Sequence, residues 1–141
     1  MKICISSTGE GLESMVDSRF GRCPFFLIID DKTDQFETIT NPGSSSGGGA
    51  GITAAQTIAD QKVAAVITGN VGPNAFGVLR SAGIKIHTGA FNITVKQALS
   101  DFKDNKLQET LQPSGPNYMG MPNSMPRGRG LGRDDGRGKR R

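Results

Sequence analysis

The stretch Val63–His87, VAAVITGNVGPNAFGVLRSAGIKIH, decides how this chain folds. Val63–Thr68 is an apolar run of strand length, and Gly69–Pro73 interrupts it. Pro73 suits the first turn of a helix, where its missing N–H would have no partner in any case. Ala75, Phe76, Leu79 and Ala82 then line one helical face, Gly83 supplies a C-terminal stop, and Ile84–His87 is a second short strand. Strand, helix and strand in this order form a right-handed crossover between parallel neighbours.

The flanking segments extend that unit. Lys2–Ser6 reads as a first strand, and Thr8–Arg22 as a polar loop. Phe25–Asp30 (FFLIID) is apolar on both faces and so belongs inside a sheet. Asp31–Asp34 has turn composition, and Gln35–Thr40 suits an edge strand. Asn41–Gly51, rich in serine and glycine, feeds Ile52–Gln61, whose Ile52, Ala55, Ile58 and Ala59 form a helical stripe. A last helix starts at Thr94, with Val95, Ala98, Leu99 and Phe102 on one face, and frays near Asn105. The order β-β-β-α-β-α-β-α predicts an α/β fold of ribonuclease-H-like type, a mixed five-stranded sheet with three helices. If strand 2 is antiparallel to strand 1, four connections leave one edge: Ser7–Cys23, Asn41–Gly51, Gly69–Pro73 and Thr88–Thr94. All three helix N-termini then point at that edge, where open α/β sheets bind ligands.

Composition narrows the function. The net charge of +4 is misleading, because residues after Leu111 carry seven basic and two acidic side chains. Residues 1–111 are therefore near neutral, and the expected organisation is one domain over 1–111 with a disordered Gly/Met/Arg-rich basic tail over 112–141. No secretory leader or membrane span is expected, and two cysteines without metal-site spacing suit a reducing cytoplasm. Nucleophilic catalysis would rest on His87 alone, which sits last before the Thr88–Thr94 loop. A structural or edge role suits it, with a ligand role as the alternative. Two-metal hydrolysis lacks its carboxylates, since strand 1 reads Lys2-Ile3-Cys4-Ile5-Ser6. No dinucleotide or Walker glycine motif is present. Cys23, between Arg22 and Pro24, has two readings: an accessible thiol whose pKa is lowered by Arg19 and Arg22, or a semi-buried small residue opening strand 2. Cys4 reads as core.

SRFGRCPFFLIID (18–30), NPGSSSGGGAGITAAQTIAD (41–60), AAVITGNVGPNAFGVLRSAGIKIHTG (64–89) and TVKQALSDFKDNKL (94–107) together resemble the dinitrogenase iron–molybdenum cofactor biosynthesis family, which includes NifX-like and NafY-like carriers and the NifB C-terminal domain. The resemblance covers residues 1–111. It implies a non-catalytic protein that binds or carries a metal–sulfur cluster or its precursor. Nitrogenase-associated members often carry His before Phe-Gly; here that position is Arg19, as in stand-alone members. The implied ligand is thus an anionic iron–sulfur or molybdenum–iron–sulfur species, with cluster-donor or cluster-acceptor proteins as partners. Its expected contacts are Arg19, Arg22, Cys23, Ser46, Gly47, Gly48, Gly49, Gly69, Asn70, Gly72, Thr88 and Gly89, with Cys23 as metal ligand. Met119, Met121 and Met125 are a second set of soft ligands. The competing reading is a regulatory interaction module whose Arg-Gly tail contacts nucleic acid or an acidic partner.

Because apolar periodicity ends near Leu111, truncation after Gln112 should leave the thermal midpoint nearly unchanged in a calorimetric scan. A fall of many degrees would show that the tail packs on the core.

Overall fold

The computed structural model describes residues 1–45 and 49–113. Its elements are β1 (Lys2–Ser7), β2 (Phe25–Asp30), β3 (Phe36–Thr40), a 3-10 turn (Pro42–Ser45), α1 (Ala50–Asp60), β4 (Ala65–Ile67), α2 (Pro73–Ser81), β5 (Lys85–His87) and α3 (Val95–Lys103). They form one five-stranded sheet in the order β3-β2-β1-β4-β5. β1 is central, antiparallel to β2 and parallel to β4, and β5 continues the parallel half. β3 is antiparallel to β2 and lies at the edge. Four strands therefore run the same way and β2 runs against them. The mixed sheet with three helices is the expected architecture.

Strict alternation along the strands explains why they are apolar on both faces. Ile3, Ile5, Leu27, Ile29, Ala65 and Ile67 pack with Val95, Ala98 and Leu99 of α3. Cys4, Phe26, Ile28, Val66 and Ile86 pack with Ala54, Ala55 and Ile58 of α1 and Ala75, Phe76 and Leu79 of α2. A strand buried on both sides has no polar face to display.

β4 and β5 are shorter than their apolar runs, but the hydrogen-bond ladder continues past their ends. Ala64 N donates to Lys2 O at 2.8 Å and Thr68 N donates to His87 O at 3.0 Å. The outer edge of β5 is covered by the chain that follows α3: Thr110 N donates to Ile86 O at 2.6 Å and Thr88 N donates to Thr110 Oγ1 at 3.0 Å. The expected tail lies, from Ser114 onward, outside the described residues. No helix among the described residues is long and apolar enough to cross a membrane.

Asn41 joins the two longest connections. Its Nδ2 donates to Cys23 O at 2.8 Å and Gly21 O at 3.1 Å, and its Oδ1 accepts from Gly43 N at 2.9 Å. The side chain is 1% exposed, so water cannot readily replace those bonds. Asn41→Ala should cost about 2–4 kcal/mol in a urea unfolding experiment, because it strands several buried backbone groups together. A cost below about 0.5 kcal/mol would show that the connections hold their shape without it.

Candidate functional site

The carboxyl ends of β1, β3, β4 and β5 share one edge, and the connection after β1 is laid across it. That loop is held by isolated bridges from Ser7 to Val16, Met15 to Thr94 and Arg19 to Asn70. Beneath it, Ser6 Oγ lies 2.7 Å from both the Asp17 carbonyl oxygen and Thr68 Oγ1, a buried polar chain linking β1, the loop and the end of β4. Gly69 permits the close crossing: a Cβ there would stand 2.6 Å from Ser18 Cα.

The crossing loop divides the edge into two clefts. The first, about 390 Å³, is lined by Gly21, Arg22, Gly49, Ala50, Gly51, Ile52, Gly72, Pro73, Asn74 and Ala75. It is the shared mouth of α1 and α2. Among the described residues, neither helix has a side-chain N-cap: Gly49 (φ 69°) precedes α1, and Gly72 with Pro73 opens α2. Their first-turn N–H groups and partial positive charge therefore face a common recess. Gly21 lets the loop approach α1, since a Cβ on it would lie 3.0 Å from Gly51 Cα. Arg22 is exposed at the rim.

The second cleft, about 530 Å³, is lined by Thr8, Met15–Arg19, Phe91 and Asn92. Here Asp17, 5% exposed, engages Arg19 through three contacts: Oδ1 accepts from the backbone N at 2.8 Å and from Nε at 3.2 Å, and Oδ2 from Nη2 at 3.2 Å. That hydrogen bonding, with the Asp17 charge, raises the Arg19 pKa above its ordinary value. Met15 and Phe91 are exposed on the rim.

Three sequence expectations are corrected. The N-terminus of α3 is not an open anion site: Thr94 Oγ1 accepts from Gln97 N, and the N–H groups of Val95 and Lys96 donate to Ser14 O and Leu12 O. Cys23 is not an accessible, activated thiol. It is fully buried, and its Sγ donates to Phe20 O at 3.4 Å. Burial, reinforced by the Asp17 carboxylate, pushes its pKa up to about 12, outweighing the hydrogen bonds that favour thiolate. The adjacent arginines fail to activate it because Arg19 is committed to Asp17. As placed, the Cys23 thiol points to the Phe20 carbonyl inside the core and does not line either cleft. Cys4 is core, as expected, and its pKa is raised well above the ordinary value by burial.

The other expected contacts separate by role. Arg22, Gly49 and Gly72 meet in the first cleft. Gly69, Asn70 and Gly89 build the crossing: Asn70 N donates to Ser18 O at 2.8 Å, and Gly89 N to Gly69 O at 2.9 Å. Thr88 pairs with Thr110 through their hydroxyls at 2.8 Å. Ser46, Gly47 and Gly48 lie outside the described residues. Gly51, the end of the serine- and glycine-rich loop expected at the site, does line the first cleft, whereas sequence reasoning missed Gly21 and Asn74 there, and Asp17. The only local signal for Asp17 was its spacing of two from Arg19. Among the described residues, no group of three or more His, Cys, Asp or Glu could hold a metal ion.

The family model described as dinitrogenase iron-molybdenum cofactor matches residues 1–105. The apo orange protein from Desulfovibrio gigas is 36% identical, with a TM-score of 0.79, covering 81% of this chain and 96% of that one. A NifB/DUF35-type protein from Thermotoga is 33% identical, with a TM-score of 0.68, covering 81% of this chain and 98% of its own. An uncharacterized protein of Methanocaldococcus jannaschii is 31% identical over 93 residues, 64% of this chain and 78% of the relative.

Both thiols should resist iodoacetamide in the native protein at pH 8 and react on unfolding. A native protein labelled rapidly at Cys23 would contradict its burial. The buried thiol keeps its proton while the unfolded chain loses it, so stability should fall as pH rises between the ordinary thiol value of 9.0 and about 12. Cys23→Ala should fall less steeply over that window in urea unfolding.

Proposed function

This chain belongs to the dinitrogenase iron-molybdenum cofactor family, and we propose that it is a non-catalytic carrier of an anionic iron–sulfur or molybdenum-containing cluster, or of its precursor. The observation that carries this reading is the pair of uncapped helix N-termini, α1 and α2, opening into one cleft beside Arg22. Each N-terminus contributes about 0.3–1 kcal/mol toward a nearby anion, and more when partly buried. A guanidinium at the rim adds charge-assisted hydrogen bonds to oxo or sulfido groups.

The donor set suits cargo held without a protein–metal bond. The one cysteine near the cleft is protonated and turned inward. The cargo is then gripped by N–H groups and a cation, an arrangement that releases it intact. Among the described lining residues of the cleft, Arg22 is the one charged side chain, and those residues include no acid–base pair. The likeness to the orange protein of Desulfovibrio gigas in its apo form supports the same reading. A carrier of this kind works in the cytoplasm, receiving cargo from a donor protein and passing it to an acceptor across the same open edge.

Tetrathiomolybdate, an anionic molybdenum–sulfur probe, should bind the full chain saturably when followed by visible absorption. Arg22→Glu should weaken that binding by about tenfold or more, equivalent to about 1.4 kcal/mol. Arg19→Glu and removal of residues 114–141 should each change it less than about threefold. Equal binding by wild type and Arg22→Glu would overturn the assigned cleft, and loss on tail removal alone would move the site to the methionines.

A further inference from the structure

The sheet has two outer sides, and the chain treats them differently. Beyond β5, Thr110 N donates to Ile86 O at 2.6 Å, so the segment after α3 occupies that side. Beyond β3, no described segment does so. Alternation identifies the backbone groups left there. At the two ends of the β2–β3 ladder, Asp30 N donates to Gln35 O at 2.9 Å and Asn41 N to Pro24 O at 3.0 Å. The pairing between them runs unbroken from Phe25–Thr40 to Ile29–Phe36. In an antiparallel ladder, residues bonded to the neighbouring strand alternate with residues whose N–H and C=O point away. Gln35, Glu37, Ile39 and Asn41 therefore bond inward, and Phe36, Thr38 and Thr40 present their backbone groups outward. Among the described residues, these outward groups have no hydrogen-bond partner.

Edge strands are commonly blunted by lysine, proline or a bulge. Phe36–Thr40 (FETIT) has none of these, and Phe36 is 42% exposed. The charge along this edge is acidic. Glu37 is exposed on the α1/α2 side of the sheet, which Ile39 shares, beside a groove of about 250 Å³ lined also by Lys2, Asp30 and Gln35. Glu10 is exposed on the α3 side, where Thr38 Oγ1 donates to its carbonyl oxygen at 2.6 Å. Neither carboxylate has an ion-pair partner among the described residues. A second copy is a poor occupant. Twofold pairing that bonds all the outward residues centres on Thr38 and brings the Glu10 loops of both copies together at the axis.

We propose that the outer side of β3 docks an extended, basic segment of a partner protein as a further antiparallel strand of the sheet. Main-chain bonds to Phe36, Thr38 and Thr40 supply affinity, and a lysine or arginine opposite Glu37 supplies selection. Register fixes the pattern of the incoming segment. Its residues bonded to Phe36, Thr38 and Thr40 lie on the α3 side, since Phe36 pairs with Ile29, and as apolar or β-branched side chains they cover the Phe36 ring. The residues between them lie on the Glu37 side, with their own N–H groups turned to solvent. None of these β3 residues lines the Arg22 cleft, so the inference stands independently of the carrier reading.

The probe is a capped heptapeptide of alternating lysine and valine, titrated into the full chain and followed by backbone amide shifts in NMR. Saturable shifts are expected at Phe36, Thr38 and Thr40. N-methylation of the valines, whose N–H groups must face β3, should weaken binding by about tenfold or more, and N-methylation of the lysines by less than about threefold. Glu37→Lys should weaken the peptide by about threefold to tenfold, reverse its advantage over the glutamate–valine analogue, and leave tetrathiomolybdate binding as in the wild type. Thr38→Pro removes an outward N–H and no β2–β3 bond, so it should fold and lose about tenfold in peptide affinity. Should it not fold, the two methylated peptides carry the same test on the wild-type chain. The proposal is overturned if those amides show no saturable shift, if both methylated peptides bind alike, or if Glu37→Lys keeps the preference for lysine. Concentration-dependent shifts at the same amides without peptide would assign the edge to a second copy and likewise overturn it.

Discussion

The passage of the Thr8–Pro24 connection across the strand ends is the constraint on which the rest of the molecule's working edge depends. It is possible because position 69 has no Cβ, and it is held by the buried chain of Ser6, Thr68 and the Asp17 carbonyl. A polar link in a site closed to water is strong in both senses: satisfied, it locks the path, and broken, it leaves costly orphan groups. Asn41 applies the same logic from the other side, tying Gly21 and Cys23 to the connection after β3. The loop's path is thereby fixed relative to both α1 and α2.

That path sorts the charges. Arg19 and Arg22 are three residues apart, yet they serve different clefts. Arg19 lies against the nearly buried Asp17 and compensates a carboxylate that would otherwise be costly to bury. Arg22 stands at the mouth of the two helices. A single basic cluster would have been a general anion trap. Among the described residues, the division sets Arg22 in the lining of one recess, where two helix ends add positive potential through backbone N–H groups that cannot titrate.

The resident thiol shows how desolvation and nearby charge compete. Cys23 has two arginines within four residues, but burial removes solvation from the thiolate, and the Asp17 carboxylate adds an unfavourable charge. Both push the same way. The thiol is thus withheld from the edge. The residue before Phe20-Gly21, which the sequence singles out as the departure from nitrogenase-associated members, does structural work here as half of the Arg19–Asp17 pair.

The amino-acid sequence by itself determined the order of elements, the doubly covered sheet and the family. Those depend on local periodicity, on Pro73 and Gly83 as punctuation, and on motifs read in order. It also placed Arg22, Gly49 and Gly72 near one edge, since strand direction follows from connection length. Only the tertiary structure decided which helix ends stay open. Thr94 caps its own helix, but the carbonyls that consume the N–H groups of Val95 and Lys96 come from Ser14 and Leu12, more than eighty residues earlier. It likewise decided the protonation of Cys23 and the burial of His87. Burial and electrostatic environment are sums over neighbours brought together by the fold, and no local pattern along the chain encodes them.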